Sequence, residues 1–312
     1  MQTVIITGGT GLVGKALTKH LVEKGFSVII FTRKLPSINN SNPAISYALW
    51  NVKEKKIDVA AIQKADYIIQ LAGAGVVDKK WTDVYKKEIL NSRTESSALL
   101  TATLQNNNNK VKTIVSASAI GWYGADDVHA DKQTSFVETD KPAPGFLGNT
   151  CKLWEESIEP AAQLGKRLVK LRTGIVLSND GGALAEFKKP IQFGVAGILG
   201  SGKQIVSWVH IDDLCRMYIA ALQNEQLNGS YNAVAPAPVS NKILTLELAK
   251  LMKGKFFIPL HVPGFVLKIM LGERSIEVLK STRVSCEKIK KTGFTFLYPS
   301  IEAALQQLCA TS

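Results

Sequence analysis

The sequence predicts an α/β fold: a doubly wound parallel sheet with a smaller, mainly helical C-terminal lobe. Three observations predict it. Short β-rich runs alternate with longer helical patterns over the first two thirds of the chain. A glycine-rich turn stands between the first run and the first helical pattern. The pattern then loosens from Thr173 and becomes helical from about Tyr231.

Thr3–Thr7 (TVIIT) is an apolar run ending in glycines, the form of a buried strand. Residues 12–24 put Leu12, Val13, Ala16, Leu17, Leu21 and Val22 on one helical face, and Gly25 is placed to end that helix. Ser27–Thr32 (SVIIFT) is the second strand, and residues 67–71 (YIIQL) and 111–118 (VKTIVSAS) are later ones. A long helix is expected over residues 82–104. The asparagine run at 106–109 reads as the loop after it, because asparagine favours turns. A helix over residues 151–164 leads into a strand at 167–171 (RLVKL). Glycine-rich stretches at 181–182 and 194–202 read as exposed substrate-side loops. A strand-like SWVHI and a helix from Asp212 follow, and prolines at 236, 238, 259 and 263 mark the last segment. The expected division is a dinucleotide-binding domain over 1–230, with substrate-side loops at about 173–205, and a smaller substrate-side lobe over 231–312.

The 312 residues, 46% of them hydrophobic, suffice for a sizeable core. No run of about 18 apolar residues exists, so no membrane span is expected. The N-terminal segment lacks the features of a signal peptide. Cys151, Cys215, Cys286 and Cys309 are scattered, which argues against zinc and a disulfide framework and fits a reducing cytoplasm. His20, His129 and His261 are isolated, and no metal is expected. The net charge of +12 favours anionic partners. The basic residues occur in separate pairs such as Lys79-Lys80 and Lys188-Lys189, without interleaved aromatics, so nucleic acid is not an expected partner.

Residues 7–14 read TGGTGLVG, between the first strand and the first helix. Gly8 permits the tight turn, Gly11 lets backbone approach a pyrophosphate, and Gly14 lets helix pack on strand. Amides near Leu12 and Val13 then face the phosphates. This is the start of a Rossmann-type unit. The second strand ends Phe31-Thr32-Arg33-Lys34, and no acidic residue lies between Glu23 and Glu54. A carboxylate there would grip a ribose hydroxyl, whereas a guanidinium binds a ribose 2′-phosphate. The expected cofactor is therefore NADP(H), with Arg33 as main phosphate ligand, helped by Lys34 or Thr32.

TGGTGLVG resembles the fingerprint of the extended short-chain dehydrogenase/reductase superfamily. LAGAGV (71–76) resembles the loop beside the adenosine, and VSASAIGWYG (115–124) the segment with the active-site serine. LRTGIVLS (171–178) resembles a strand end near the nicotinamide, and SWVHIDDL (207–214) a segment of sugar-nucleotide epimerases. The blocks KKWTDVYKKEILNSR, FLGNTCKLWE, GGALAEF and LGSGKQIVSWVHIDDL narrow the likeness to an atypical "epimerase family protein" subgroup. That subgroup carries a short C-terminal domain of unknown function, matched here from Leu271. The label is a sequence relationship, not evidence of sugar epimerisation. The resemblance implies a cofactor site from Thr7, Gly8, Thr10, Gly11, Leu12, Val13 and Gly14, then Arg33 and Lys34, then Leu71, Ala72 and Gly73, with Ser116 and Arg172 beside them.

Typical members use a tyrosine as acid/base and a lysine four residues on, which lowers the phenol's pKa and binds the nicotinamide ribose. None of the seven tyrosines here has lysine at that spacing. The alignment through Glu155 places Leu147 at the tyrosine position and Cys151 at the lysine position. Lys152 is turned away by about 100 degrees. Ser118 is a candidate to orient substrate, or it ties strand to loop; Tyr123 is a candidate replacement for the tyrosine, or it packs with Trp122. Arg93 contacts substrate or holds the serine loop, or it is a helix-surface residue. Arg172 binds an anion or forms a buried ion pair, and Asp212 reads as a helix N-cap. The favoured function is an NADP(H)-dependent oxidoreductase or epimerase-like enzyme on a small carbonyl or hydroxyl substrate. The alternative is a non-catalytic NADP(H) sensor or protein-interaction module, with RNA binding as a weaker third. A homodimer through the helix from Thr82 is compatible with the pattern.

Overall fold

β-branched residues suit a strand covered on both faces, and the chain opens with one. In the computed structural model, which describes residues 1–36, 41–129, 131 and 134–310, β1 (Thr3–Thr7) buries Val4, Ile5 and Ile6 completely. α1 (Leu12–Glu23) buries Leu17 and Leu21, and Gly25, at φ 81°, turns the chain out of it. There follow β2 (Ser27–Thr32), β3 (Ile45–Asn51), β4 (Lys56–Ile57), α2 (Val59–Lys64), β5 (Tyr67–Gln70), α3 (Asp83–Asn106), β6 (Thr113–Ala119), α4 (Phe146–Ile158), α5 (Pro160–Gln163) and β7 (Arg167–Thr173). The next elements are β8 (Ile175–Ser178), β9 (Gly181–Gly182), α6 (Ala183–Gln192), β10 (Val195–Leu199), β11 (Ile205–Val206), β12 (Trp208–His210), α7 (Ile211–Gln223) and β13 (Gly229–Ala233). The chain ends through β14 (Val239–Ser240), α8 (Asn241–Lys253), β15 (Ile258–Val262), α9 (Gly264–Leu271), α10 (Ser275–Leu279), α11 (Glu287–Lys290) and α12 (Ile301–Ala310).

The main sheet has eight strands in the order β13-β7-β6-β5-β1-β2-β3-β4. Every pair is parallel except β3 with β4 at the edge. The chain winds outward in both directions from β1 and β5, so the topological switch point lies between them. Ligands of open α/β sheets bind at the carboxyl ends there. The expected Rossmann-type doubly wound sheet is present.

Alternation along β1 assigns its residues to two cores. Val4 and Ile6 join Leu17, Leu21, Leu214 and Met217 from α1 and α7. Ile5 joins Leu100, Leu104 and Ile158 from α3 and α4. A third core, with Leu184, Ile191, Leu244, Leu248 and Leu305, unites α6, α8 and α12 on the C-terminal side.

β13 pairs with β7 through Ala233, so the main sheet runs to that residue. Three local expectations are corrected. The stretch 194–202 is not loop throughout, because β10 pairs in parallel with β15. The helix expected over 151–164 starts earlier, at Phe146, and breaks at Pro160, which lacks the amide to continue it. Asp212 is not the N-cap of α7; that helix starts a residue sooner, and His210 Nδ1 accepts from the Asp212 amide at 3.1 Å. Among the described residues no helix is long and apolar enough to cross a membrane.

Candidate functional site

The turn after β1 has the form that the three glycines require. Gly8 sits at φ +70°, and its carbonyl accepts from the Gly11 amide at 3.1 Å. A Cβ on Gly8 would lie 3.0 Å from the Leu71 carbonyl carbon. A Cβ on Gly14 would lie 2.4 Å from the Gly8 carbonyl oxygen and 2.6 Å from Gly9 Cα, so only glycine lets α1 seat against the turn. Gly11 and Thr10 are exposed, and a Cβ on Gly11 would meet nothing nearer than 3.4 Å. Gly11 is the N-cap of α1, with no side-chain cap and no acidic residue in the first turn. The first amides of the helix, Leu12 and Val13 among them, therefore have no intrahelical acceptor and face an opening suited to an anion.

Thr7 acts one step behind this cradle. It is fully buried, its hydroxyl donates to Gln70 Oε1 at 2.8 Å, and it accepts from the amides of Leu71 and Ala72, each at 3.1 Å. That fixes the loop from Leu71 to Gly73 alongside the turn. Arg33 and Lys34 follow β2 on the exposed surface, with the Thr32 hydroxyl donating to the Lys34 carbonyl at 3.0 Å. The next carboxylate along the chain, Glu54, is already paired with Lys56.

The carboxyl ends of β6 and β7 carry a buried polar network. Ser118 Oγ donates to Glu155 Oε1 at 2.7 Å. Arg172 grips the same carboxylate through Nε to Oε1 at 2.8 Å and Nη2 to Oε2 at 3.1 Å. Its Nη1 donates to the Tyr123 hydroxyl at 3.0 Å and to the Glu138 carbonyl at 3.1 Å. Tyr123 donates in turn to Asn232 Oδ1 at 2.7 Å. The Arg172 guanidinium also lies over the Trp122 ring, 3.7 Å from its centroid. Ser118, Tyr123 and Arg172 are thus brought together, as expected of one site, but around Glu155.

Of the two readings of Arg172, an anion ligand or a buried ion pair, the contacts are those of the ion pair: its guanidinium is held by Glu155, Tyr123 and a carbonyl, at 3% exposure. Ser116, expected beside the cofactor, is buried and donates to the Ala117 carbonyl at 3.1 Å. Tyr123, stacked on Phe136 at 5.1 Å, is pushed up to about 12 by burial, against the opposing pull of Arg172. Its phenol donates to Asn232 and accepts from Arg172. The Ser118 hydroxyl donates its one hydrogen bond to Glu155, so its oxygen is left to accept.

Leu147 and Cys151 stand one turn apart on α4, facing the loop after β6. A Cβ on Gly121 would lie 3.4 Å from Leu147 Cβ and 3.5 Å from Cys151 Sγ. Burial pushes the Cys151 thiol up to about 12, which makes it a poor nucleophile. Iodoacetamide at about pH 8 is expected to leave Cys151 unmodified in the folded protein and to alkylate it after denaturation. Peptide mass mapping checks this, and rapid labelling of the native thiol would contradict it. Arg93, from α3, reaches the opposite side of the same space. Its Nη1 donates to the carbonyls of Ala74 and Ile89, at 2.9 and 2.8 Å.

Sequence reasoning used Glu155 only to align the helix and overlooked Asn232. For Glu155 a signal exists: it follows Cys151 by one helical turn, on the face that also buries Gly148, Trp154 and Ile158. Asn232 carries no such signal.

The sequence profile of the NAD dependent epimerase/dehydratase family matches residues 4–233, and that of a domain of unknown function (DUF1731) matches residues 262–308. An epimerase family protein of Staphylococcus saprophyticus is 35% identical over 311 residues, 99% of each chain. Among solved structures, a human epimerase family protein solved with NADPH is 26% identical, with a TM-score of 0.85 and 100% of both chains covered. A nucleoside-diphosphate sugar epimerase of Corynebacterium glutamicum is 31% identical, with a TM-score of 0.76, covering 99% of this chain and 58% of that one.

Proposed function

Because the chain belongs to the NAD dependent epimerase/dehydratase family, we propose that it binds NADP(H) and acts as an oxidoreductase or epimerase-like enzyme on a small carbonyl or hydroxyl compound, without the usual tyrosine-lysine pair. One observation carries the cofactor reading. The uncapped start of α1, free of acidic residues, follows β1, and the β2 end that reads Arg33-Lys34 leaves the same edge of the sheet beside it. The amides of Gly11, Leu12 and Val13 would hold the pyrophosphate. Arg33, with Lys34, would hold the ribose 2′-phosphate through charge-assisted hydrogen bonds. The human relative solved with NADPH agrees with this choice of dinucleotide. The four cysteines are all free, which suits a reducing cytoplasm.

When bound, the nicotinamide supplies hydride chemistry; the protein supplies placement and exclusion of water. Leu147 gives the site an apolar wall where relatives carry a phenol. Ser118, its O–H donated to Glu155, accepts a hydrogen bond from a substrate hydroxyl rather than donating to a carbonyl. Arg172, itself braced by the Tyr123 hydroxyl, holds the Glu155 carboxylate in place for that contact.

The direct test is a paired titration. Wild-type protein is expected to prefer NADPH over NADH, and Arg33→Asp to lose about a hundredfold in NADPH affinity with NADH binding undiminished. Equal affinity of the wild type for both dinucleotides would contradict the choice of NADP(H). A second reading, a non-catalytic NADP(H) sensor or interaction module, is favoured by Leu147 and Cys151 at the acid/base positions. Substrate-dependent loss of NADPH absorbance over a panel of small carbonyl compounds separates the two.

A further inference from the structure

Among the described residues no carboxylate pairs with the buried Arg93 guanidinium. Its residue exposure is 9%, and burial lowers its pKa from the usual guanidinium value. A guanidinium nevertheless stays charged in proteins, and a buried charge without a counter-ion is costly. Its protein partners are the two carbonyls of Ala74 and Ile89, both on Nη1, and the face of Trp154 at 4.8 Å. Nε and Nη2 have no acceptor among the described residues, yet neither is a fully buried atom, so both reach the surface. The neighbouring Trp154 Nε1, by contrast, is a buried donor without an acceptor there. Donors therefore outnumber acceptors at this spot.

Its placement says what the missing acceptor is. A Cβ on Gly73 would lie 3.1 Å from Arg93 Cζ, so the guanidinium presses against the exposed loop that begins at Leu71. Leu71 itself abuts Gly8 of the pyrophosphate cradle. On the other side Arg93 is close enough for its charge to act on the Cys151 thiol, at the position where relatives carry lysine. The arginine thus lies between the phosphate cradle and the Ser118 end of the site. A dinucleotide stretched between those points passes it.

We propose that Arg93 binds the nicotinamide mononucleotide half of the dinucleotide, its phosphate and ribose, in place of the lysine that position 151 lacks. The proposal rests on the NADP(H) reading and adds to it. Adenosine 2′,5′-bisphosphate carries the adenosine and the 2′-phosphate but lacks the nicotinamide half. Affinities for NADPH and for this fragment are measured by calorimetry on wild type, Arg93→Gln and Arg93→Lys. The expected result is a loss of roughly ten- to a hundredfold in NADPH affinity for both variants, with fragment affinity within about twofold of wild type. Retained fragment binding also shows that the variant is folded; should Arg93→Gln fail to fold, Arg93→Lys decides. Unchanged NADPH affinity, or a parallel loss of both ligands in Arg93→Lys, would overturn the assignment in favour of a packing role. A wild type that binds neither ligand removes the cofactor reading itself, and the proposal with it.

Discussion

Glu155→Ala is expected to destabilise the protein by about 3–5 kcal/mol, the range for breaking a buried ion pair from one side. Glu155 is 4% exposed and Arg172 3% exposed. The carboxylate accepts from Ser118, from two nitrogens of Arg172 and from Ser230 at 3.2 Å, and Lys170 lies 3.8 Å away. Its removal leaves the buried Arg172 guanidinium and Ser118 hydroxyl, and the half-buried Ser230 hydroxyl, with unanswered donors. Because these partners come from α4, β6, β7 and β13, the loss falls on the junction of the main sheet with its helical cover. Glu155→Gln keeps the shape and two polar atoms, so a smaller loss is expected. Urea unfolding measures both, and a change below about 1 kcal/mol for Glu155→Ala would mean that the network contributes little to stability.

Gly14→Ala is expected to abolish measurable NADPH binding. The added methyl would stand 2.4 Å from a carbonyl oxygen and 2.6 Å from an α-carbon, both backbone atoms of the turn. Neither yields without opening the Gly8 turn or lifting α1 from it, and both place the phosphate-facing amides. Overpacking of this kind costs about 1–3 kcal/mol of stability as well. Gly11→Ala is the informative companion. Its methyl meets nothing nearer than 3.4 Å within the protein, so stability is expected to hold while a pyrophosphate loses its close approach. Calorimetry with NADPH and thermal melts on the two variants separate the effects. Gly14→Ala binding NADPH as tightly as wild type would contradict the account of this turn.

The cofactor end of the site was legible because it is local. β1, the glycine turn and α1 form one continuous segment, and β1 and β2 occupy the residues their apolar runs predict. Strands covered on both faces announce themselves as unbroken hydrophobic runs. β3 does not, since Ser46 and Leu49 are exposed and the strand borders the sheet's short antiparallel edge. β10 was hidden by the glycines around it, and its partner β15 lies far along the chain. The helix start at Ile211 was misplaced because two residues compete for the cap, and the histidine ring wins over the aspartate that follows. The other end of the site was least legible. Ser118, Glu155, Arg172 and Asn232 belong to four separate elements, and only the parallel pairing of β6, β7 and β13 brings them together. A reading by residue type found Ser118, Tyr123 and Arg172 and left each between a ligand role and a structural one, because the carboxylate that pairs with Ser118 and Arg172 is distant in sequence.

Isothermal titration of the unmodified protein with NADPH and, separately, NADH addresses the central claim most directly. Saturable uptake of one NADPH per chain, at least about tenfold tighter than NADH, is the outcome that the Gly8–Gly14 cradle and Arg33 predict. No saturable heat with either dinucleotide would contradict it.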